Sequence, residues 1–230
     1  MDIKIFFEDI DILVIEKPPK VPCQSDKTSD ENVMSLLNRP YLGLIHRLDR
    51  PVGGVMVYAK NQKANSFLSK EVSGRRLYKE YLTVVCGKPE SNEGELRDYL
   101  KKLKTVNMSK VVDEKTNGAK EAILEYEVLD SRATEEYGTL SLLKVILKTG
   151  RHHQIRVQLS NAGFPIWGDN KYNKVFVKKK EWTQISLWSY KIGFNHPKEK
   201  KYVSFISLPY DEEPWNIFDF KELGLPVNLI

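Results

Sequence analysis

The chain has 230 residues, a formal net charge of +5 and a pI near 8.9, with 41% hydrophobic and 29% charged residues. That length fits one large domain or two small ones, and the composition is that of a globular protein, which excludes a disordered chain. No apolar run reaches the ~18 residues of a membrane helix and no cleavage site follows the N-terminus, so we expect neither a membrane span nor a signal peptide.

The cysteine and histidine content indicates the redox environment and argues against a metal site. Cys23 and Cys86 are the only two cysteines and lie in no CxxC arrangement, so neither a disulfide framework nor a zinc ribbon is expected. The four histidines show no metal-ligand spacing such as HExxH. We therefore expect no metal, no cofactor and a cytoplasmic location. The sequence contains no coiled-coil pattern that would indicate an oligomer, so we expect a monomer.

Many of the lysines occur in three clusters, which could form part of a binding surface for an anionic partner. The clusters are Lys101, Lys102 and Lys104; Lys178, Lys179 and Lys180; and Lys198, Lys200 and Lys201. They form either three solvated loops or a surface that follows the phosphates of a nucleic acid. Charge alone does not choose between these interpretations.

The predicted elements are many short strands and a few helices. In chain order, the patterns predict strands at 3–7 and 12–15, a helix at 32–37, strands at 42–48 and 55–59, a helix at 61–74, strands at 77–86, 122–129 and 140–147, a helix at 151–161, and strands at 185–194 and 202–208. Asn61 is suited to cap its helix and Gly74 to end it. Several pairs of strands look antiparallel, which predicts an α+β fold. No linker is visible, so we expect a single domain spanning 1–230.

One carboxylate lies between two arginines in the stretch His46-Arg47-Leu48-Asp49-Arg50-Pro51-Val52-Gly53-Gly54. The proline and the paired glycines place it on a corner between two strands. Neighbouring cations favour the ionised form of Asp49, which could then act as a nucleophile or base. The alternative is that Asp49 accepts N–H groups of its own turn, as aspartates in turns commonly do.

A second polar stretch, TGRHHQIRVQL at 149–159, lies at the predicted start of a helix. If the helix begins near Arg151, then Ile155 and Leu159 face the core and Arg156 projects from an adjacent stripe. His153 and Gln154 are unusual choices for either core or surface beside a glycine turn. The alternative is a capped amphipathic helix with exposed basic residues.

Together, HRLDRPVGG and GRHHQIRVQL resemble the paired motifs of the RluA-type pseudouridine synthases. The resemblance extends to DILVIEKPPKVP at 11–22, Lys79-Glu80-Tyr81 and GFPIWGDNKY at 163–172, and it covers residues 3 to about 215. It implies the α+β pseudouridine synthase catalytic fold, a mainly antiparallel mixed sheet with flanking helices and a central RNA-binding cleft. It also implies an isomerase that flips a uridine of rRNA or tRNA out of its stack and exchanges the C–N glycosidic bond for a C–C bond.

The resemblance implies a role for each residue at a matching position. Asp49 matches the catalytic aspartate, Arg156 the arginine that pairs with it, and Tyr81 the tyrosine whose ring lies against the target base. Arg47 matches a residue that enters the gap left by the flipped base. The other substrate-binding residues implied by the motifs are His46, Arg151, His153, Gln154 and Leu159.

The chain departs from the family pattern in three places. Val52-Gly53-Gly54 replaces the usual Thr-Ser-Gly, and Phe164 and Trp188 each stand where histidine is usual. The N-terminal RNA-binding domain often found in the family is not expected. Two other functions stay open: an inactive RNA-binding module, and a carboxylate-dependent hydrolase or glycosidase, which needs a second acid such as Asp169.

Overall fold

The computed structural model describes residues 2–25, 30–103, 105–179 and 181–226, so Lys104 and Lys180 of the lysine clusters lie outside the described residues. The strands are β1 (Ile5–Glu8), β2 (Ile12–Lys17), β3 (Gly43–Leu44), β4 (Gly53–Ala59), β5 (Tyr78–Cys86), β6 (Glu93–Leu103), β7 (Met108–Val112), β8 (Lys120–Thr134), β9 (Gly138–Leu147), β10 (Leu187–Asn195) and β11 (Tyr202–Ile206). The helices are α1 (Val33–Leu37), α2 (Gln62–Ser73), α3 (Gln154–Asn161) and α4 (Lys174–Lys178). Strands dominate and most pairs are antiparallel, which confirms the predicted α+β class. None of the helices in these ranges is long and apolar enough to cross a membrane.

The chain forms two compact units. Of the described residues, those up to Glu80 and Trp188–Pro209 form the first unit, and Tyr81–Leu187 together with 210–226 form the second. The divisions fall within β5 and within β10. Because no linker marks either division, the sequence pattern did not reveal them.

The first unit contains a sheet with the strand order β1-β2-β4-β10, to which β11 adds on β10 and β3 on β4. All of these pairs are antiparallel except β4 with β10, which is parallel. One face of the sheet packs on α2 through buried residues that include Val14, Val57 and Leu68. The Asn61 side chain accepts the N–H of Ala64 at 2.9 Å and so begins α2 as predicted.

Two glycines let β4 approach β10 closely. A Cβ at Gly53 would collide with the ring of Trp188, and a Cβ at Gly54, which has a φ of +116°, would collide with the Ser189 backbone. The Trp188 indole N–H donates to the Ser207 carbonyl at 3.0 Å. The departures at Gly53 and Trp188 therefore fit each other, since the ring occupies the space that a side chain at residue 53 would need.

The second unit contains strands in the order β5-β9-β8-β6-β7. The β8 and β9 strands are longer than predicted and leave only a short turn between Thr134 and Gly138. The β6–β7 hairpin was not predicted. Most of its side chains are exposed or half-buried, with Leu100 and Ser109 the buried exceptions, so it lacks an alternating apolar pattern.

Candidate active site

Asp49 lies on a backbone turn between β3 and β4 in the first unit. Its carbonyl oxygen accepts the N–H of Val52 at 2.9 Å, which closes the turn. The Asp49 residue is half-buried and the neighbouring Arg47 is exposed. Among the described residues, Arg47 has no ion-pair partner. The corner thus presents a partly desolvated carboxylate beside a solvent-facing cation.

A fully buried lysine fixes this corner. The Lys17 ammonium donates to the carbonyl oxygens of Pro18, Val21 and Arg50 at 2.7, 2.8 and 3.1 Å. Burial lowers the pKa of Lys17 to about 8, although the nearby Cys23 and Asp49 favour its charged form. Because Arg50 directly follows Asp49, Lys17 holds the turn in place and contributes positive charge near the Asp49 carboxylate.

We expect Lys17→Met to change the pH dependence of stability. The folded-state pKa of Lys17, about 8, lies below its ordinary value of 10.5. Between these values the unfolded chain binds more protons than the folded chain, so this group makes the free energy of unfolding rise with pH from about 8 to about 10.5. Urea unfolding of both proteins at pH about 7.5 and about 10 measures this rise, which the Met variant should lack. Parallel pH dependences in the two proteins would contradict the desolvated ammonium.

Within the first unit, His46 and Cys23 hold the HRLD stretch against neighbouring segments. The His46 Nε2 accepts the N–H of Val57 at 3.3 Å, while Nδ1 is buried without a hydrogen-bond partner among the described residues. Burial, together with the charge of Lys79, lowers the pKa of His46 to about 3, so the ring is neutral. The Leu48 N–H contacts the Cys23 sulfur at 3.3 Å. This geometry favours a positioning role for His46 over the predicted substrate contact.

In the second unit, α3 begins at Gln154 rather than near Arg151. The Gln154 Oε1 accepts the Arg151 N–H at 2.9 Å and the Thr149 hydroxyl at 2.8 Å, and Nε2 donates to the Ile123 carbonyl at 3.0 Å. Every residue from Gln154 to Leu159 is buried. Ile155 and Leu159 are buried as predicted, but Arg156 is buried as well, which contradicts the alternative of an amphipathic helix with exposed basic residues. Gln154 holds the loop and Leu159 packs in the interior, which does not favour direct substrate contact by either.

Arg156 forms a buried ion pair with Asp169 in the second unit. Its Nε and Nη2 donate to the two carboxylate oxygens at 2.8 and 2.7 Å, and the side chains are 3% and 0% exposed. The Asp169 Oδ1 also accepts the N–H groups of Lys171 and Tyr172 at 2.9 and 3.2 Å. Asp169 is thus engaged as an acceptor that orients Arg156, and this does not support the free second acid of a hydrolase. The motifs did not predict this pair, although Asp169 lies in the GDNKY segment that resembles the family.

Tyr172 and His153 complete the surroundings of Arg156. The Arg156 guanidinium carbon lies 5.3 Å from the centroid of the Tyr172 ring. The Tyr172 hydroxyl accepts the Ser109 N–H at 2.7 Å and hydrogen bonds to His153 Nδ1 at 2.9 Å. Burial, and then positive charges that include Arg156, lower the pKa of His153 to about 2, so the ring is neutral. His153 has a φ of +55° just before α3 and is buried, so it shapes this loop, and its contact with substrate stays a prediction.

The remaining predicted residues have different surroundings. Tyr81 lies in β5 and is 6% exposed. Arg151 is half-buried, and its Nε donates to the Glu121 carbonyl at 2.8 Å.

Within the described ranges, no group of three or more His, Cys, Asp and Glu side chains is arranged to hold a metal ion.

Comparisons with known proteins agree with these motifs. Residues 11–161, which include Asp49, Tyr81 and Arg156, match the family model described as RNA pseudouridylate synthase. The chain is 31% identical over 241 residues to ribosomal large subunit pseudouridine synthase D of Borreliella burgdorferi, with 94% of this chain and 71% of the relative covered. It is 28% identical over 243 residues to tRNA pseudouridine synthase C of Haemophilus ducreyi, with 97% of each covered. The structure of human RNA pseudouridylate synthase domain containing 1 shares the fold, with a TM-score of 0.76, 21% identity and coverage of 90% of this chain and 84% of that one.

Proposed function

The chain belongs to the RNA pseudouridylate synthase family, and we propose that Asp49 is its catalytic carboxylate, with Arg156 and Tyr81 as partners in the reaction. The enzyme is an isomerase that acts on uridine in RNA. The observation that carries the proposal is a half-buried carboxylate on a turn that a buried ammonium, Lys17, holds in place. A fixed, partly desolvated carboxylate is what a nucleophile or base in this reaction requires.

The reaction exchanges one glycosidic bond for another within the same nucleotide. The bond from the sugar C1′ to N1 of uracil breaks, a bond from C1′ to C5 forms, the C5 proton is lost and N1 gains a proton. The mass of the RNA is therefore unchanged. We propose that Asp49 carries this exchange, whether it attacks the sugar, attacks the base or first removes a sugar proton.

The partner residues follow from the resemblance and from their surroundings. A guanidinium oriented by Asp169 is suited to pair with a second carboxylate, and we assign Arg156 as the partner of Asp49. A Tyr81 ring stacked on the target base contributes about 1–3 kcal/mol, and the exposed Arg47 is suited to fill the gap left by a flipped base, whose extrusion costs about a few kcal/mol. Asp49 and Arg156 belong to different units, so this proposal needs both units to act as one catalytic domain.

We propose rRNA or tRNA as the substrate. The relatives named above are ribosomal large subunit and tRNA synthases, and the family resemblance implies a flipped uridine in structured RNA. The cytoplasmic location and the monomeric state stay predictions.

We expect the purified protein to convert uridine to pseudouridine in total RNA taken from cells that lack it. Pseudouridine positions are mapped by chemical labelling and primer extension, before and after incubation, and free uracil is measured by chromatography. One or a few new sites with no free uracil is the expected result. Release of uracil would identify a hydrolase, and binding without any new site would identify an inactive RNA-binding module.

A further inference from the structure

In the first unit, the strand that follows the Asp49 turn begins against the indole ring of Trp188. In the parallel register of β4 and β10, Gly53 lies opposite Trp188 and Gly54 lies opposite Ser189. A Cβ on Gly53 would collide with three atoms of the six-membered part of the Trp188 ring. Gly53 does not share the positive φ of Gly54. The ring, and not the backbone conformation, therefore requires a glycine at the start of β4.

Hydrogen bonds fix the orientation of this ring. The Trp188 indole N–H donates to the Ser207 carbonyl at 3.0 Å and to the Ser207 hydroxyl at 3.1 Å. The Ser207 hydroxyl in turn donates to Glu16 Oε2 at 2.8 Å. Trp188 and Ser207 are both buried, so water does not compete for these groups. If the indole turned away from Gly53, it would lose both of its acceptors.

The end of β2 supports the Asp49 turn from both sides. Glu16, which anchors the ring through Ser207, is followed in β2 by Lys17. The Lys17 ammonium donates to the carbonyl of Arg50, the residue after Asp49. One side of the turn is thus held directly by Lys17, and the other side is held through the ring that packs on the first residue of β4.

The three residues between Asp49 and Gly53 connect the turn tightly to β4. The Arg50 carbonyl is bound by the buried ammonium. Pro51 has a φ that its own ring fixes. Val52 is buried, and its N–H donates to the Asp49 carbonyl at 2.9 Å. Because each of the three is constrained, a displacement of Gly53 moves the Asp49 turn with it.

We propose that Trp188 is a positioning residue for pseudouridine formation, because the packing of its ring on Gly53 sets the position of the Asp49 carboxylate. This inference rests on the proposed function. The side chain is only 3% exposed, so it acts through β4 and not by touching the RNA. A misplacement of a reacting group by about 1 Å can lower a rate by about 100-fold. Changes in this packing should therefore slow the chemical step and leave the affinity for RNA unaltered.

The test compares Gly53→Ala, Trp188→Leu and the double variant, using the RNA identified by site mapping. The single-turnover rate at saturating RNA reports the chemical step, and the RNA concentration that gives half of this rate reports binding. Gly53→Ala forces a methyl group into the ring and should lower the rate about 100-fold, and Trp188→Leu should lower it about tenfold because β4 loses its support. The double variant has no ring to collide with. It should react about as fast as Trp188→Leu alone, whereas independent effects would multiply to about 1,000-fold.

A second core variant of the first unit shows what a loss of stability alone does. Leu68 is fully buried where α2 packs on the sheet. Leu68→Ala should lower the urea concentration at the midpoint of unfolding, as Trp188→Leu does, because both remove buried apolar atoms. It leaves the ring and Gly53 in place, so it should keep the wild-type single-turnover rate. In all of these variants we expect the half-saturating RNA concentration to stay within about twofold of wild type.

Several results would overturn the positioning role. These are wild-type rates in Gly53→Ala and Trp188→Leu, a double variant whose loss equals the product of the single losses, or a change in the half-saturating RNA concentration without a change in rate. If Gly53→Ala does not fold, equal rates in Trp188→Leu and Leu68→Ala would show that the ring only packs. Asp49→Asn in the same assay distinguishes the two proposals. Retained turnover there would remove the catalytic assignment, whereas lost turnover there together with wild-type rates in Gly53→Ala and Trp188→Leu would remove the positioning role alone.

Discussion

Asp49→Asn is expected to abolish pseudouridine formation, lowering the single-turnover rate by about 10⁴-fold or more. An amide has nearly the same size as a carboxylate but cannot act as a nucleophile or base. The half-buried residue sits on a turn closed by its own backbone carbonyl, so the substitution should leave the fold intact. The rate is measured with the RNA identified by site mapping, at an RNA concentration that saturates both proteins.

A matched variant shows whether any turn aspartate would give this loss. Asp113 is an exposed aspartate whose Oδ1 accepts the Lys115 N–H at 2.9 Å within its own turn. Asp113→Asn makes the same chemical change at an aspartate that accepts an N–H group of its own turn, which is the alternative interpretation of Asp49. This variant should keep the wild-type rate. If Asp49→Asn retained a rate within about tenfold of wild type, Asp49 would be a structural turn residue and the catalytic group would lie elsewhere.

The sequence predicted best those elements whose side chains follow a regular pattern. In α2, the Asn61 cap and the terminal Gly74 could be predicted because capping depends on local spacing. The β6–β7 hairpin was missed because few of its side chains are buried. Its position is fixed instead by hydrogen bonds to residues far along the chain, such as that from the Ser109 N–H to the Tyr172 hydroxyl.

The candidate site shows the same limit for individual residues. The motifs singled out Asp49 and Arg156, but they suggested substrate contact for His46, His153 and Gln154. In the structure these three side chains form hydrogen bonds to neighbouring groups of the fold. A polar residue beside an active-site motif can be satisfied by backbone groups from another strand, as Gln154 is by the Ile123 carbonyl. Sequence spacing does not reveal which strand supplies that partner.

Arg156→Leu is expected to lower the free energy of unfolding by about 3–5 kcal/mol, the usual cost of leaving one charge of a buried pair unmatched. Asp169 would keep only the N–H groups of Lys171 and Tyr172 as donors while its side chain stays fully buried. Urea unfolding of the wild type and of the variant measures this loss.

The double variant Arg156→Leu/Asp169→Asn separates the structural role of the pair from its catalytic role. The amide that replaces the Asp169 carboxylate carries no charge, and its oxygen still accepts the two backbone N–H groups. The double variant should therefore recover part of the stability lost in Arg156→Leu, with a coupling of about 1–3 kcal/mol. Strictly additive losses would show that the two side chains do not act as a pair. Activity should follow a different pattern, because neither variant has the guanidinium that we propose as the partner of Asp49. If the double variant recovered activity along with stability, Arg156 would be a packing residue and its pairing with the catalytic carboxylate would have to be abandoned.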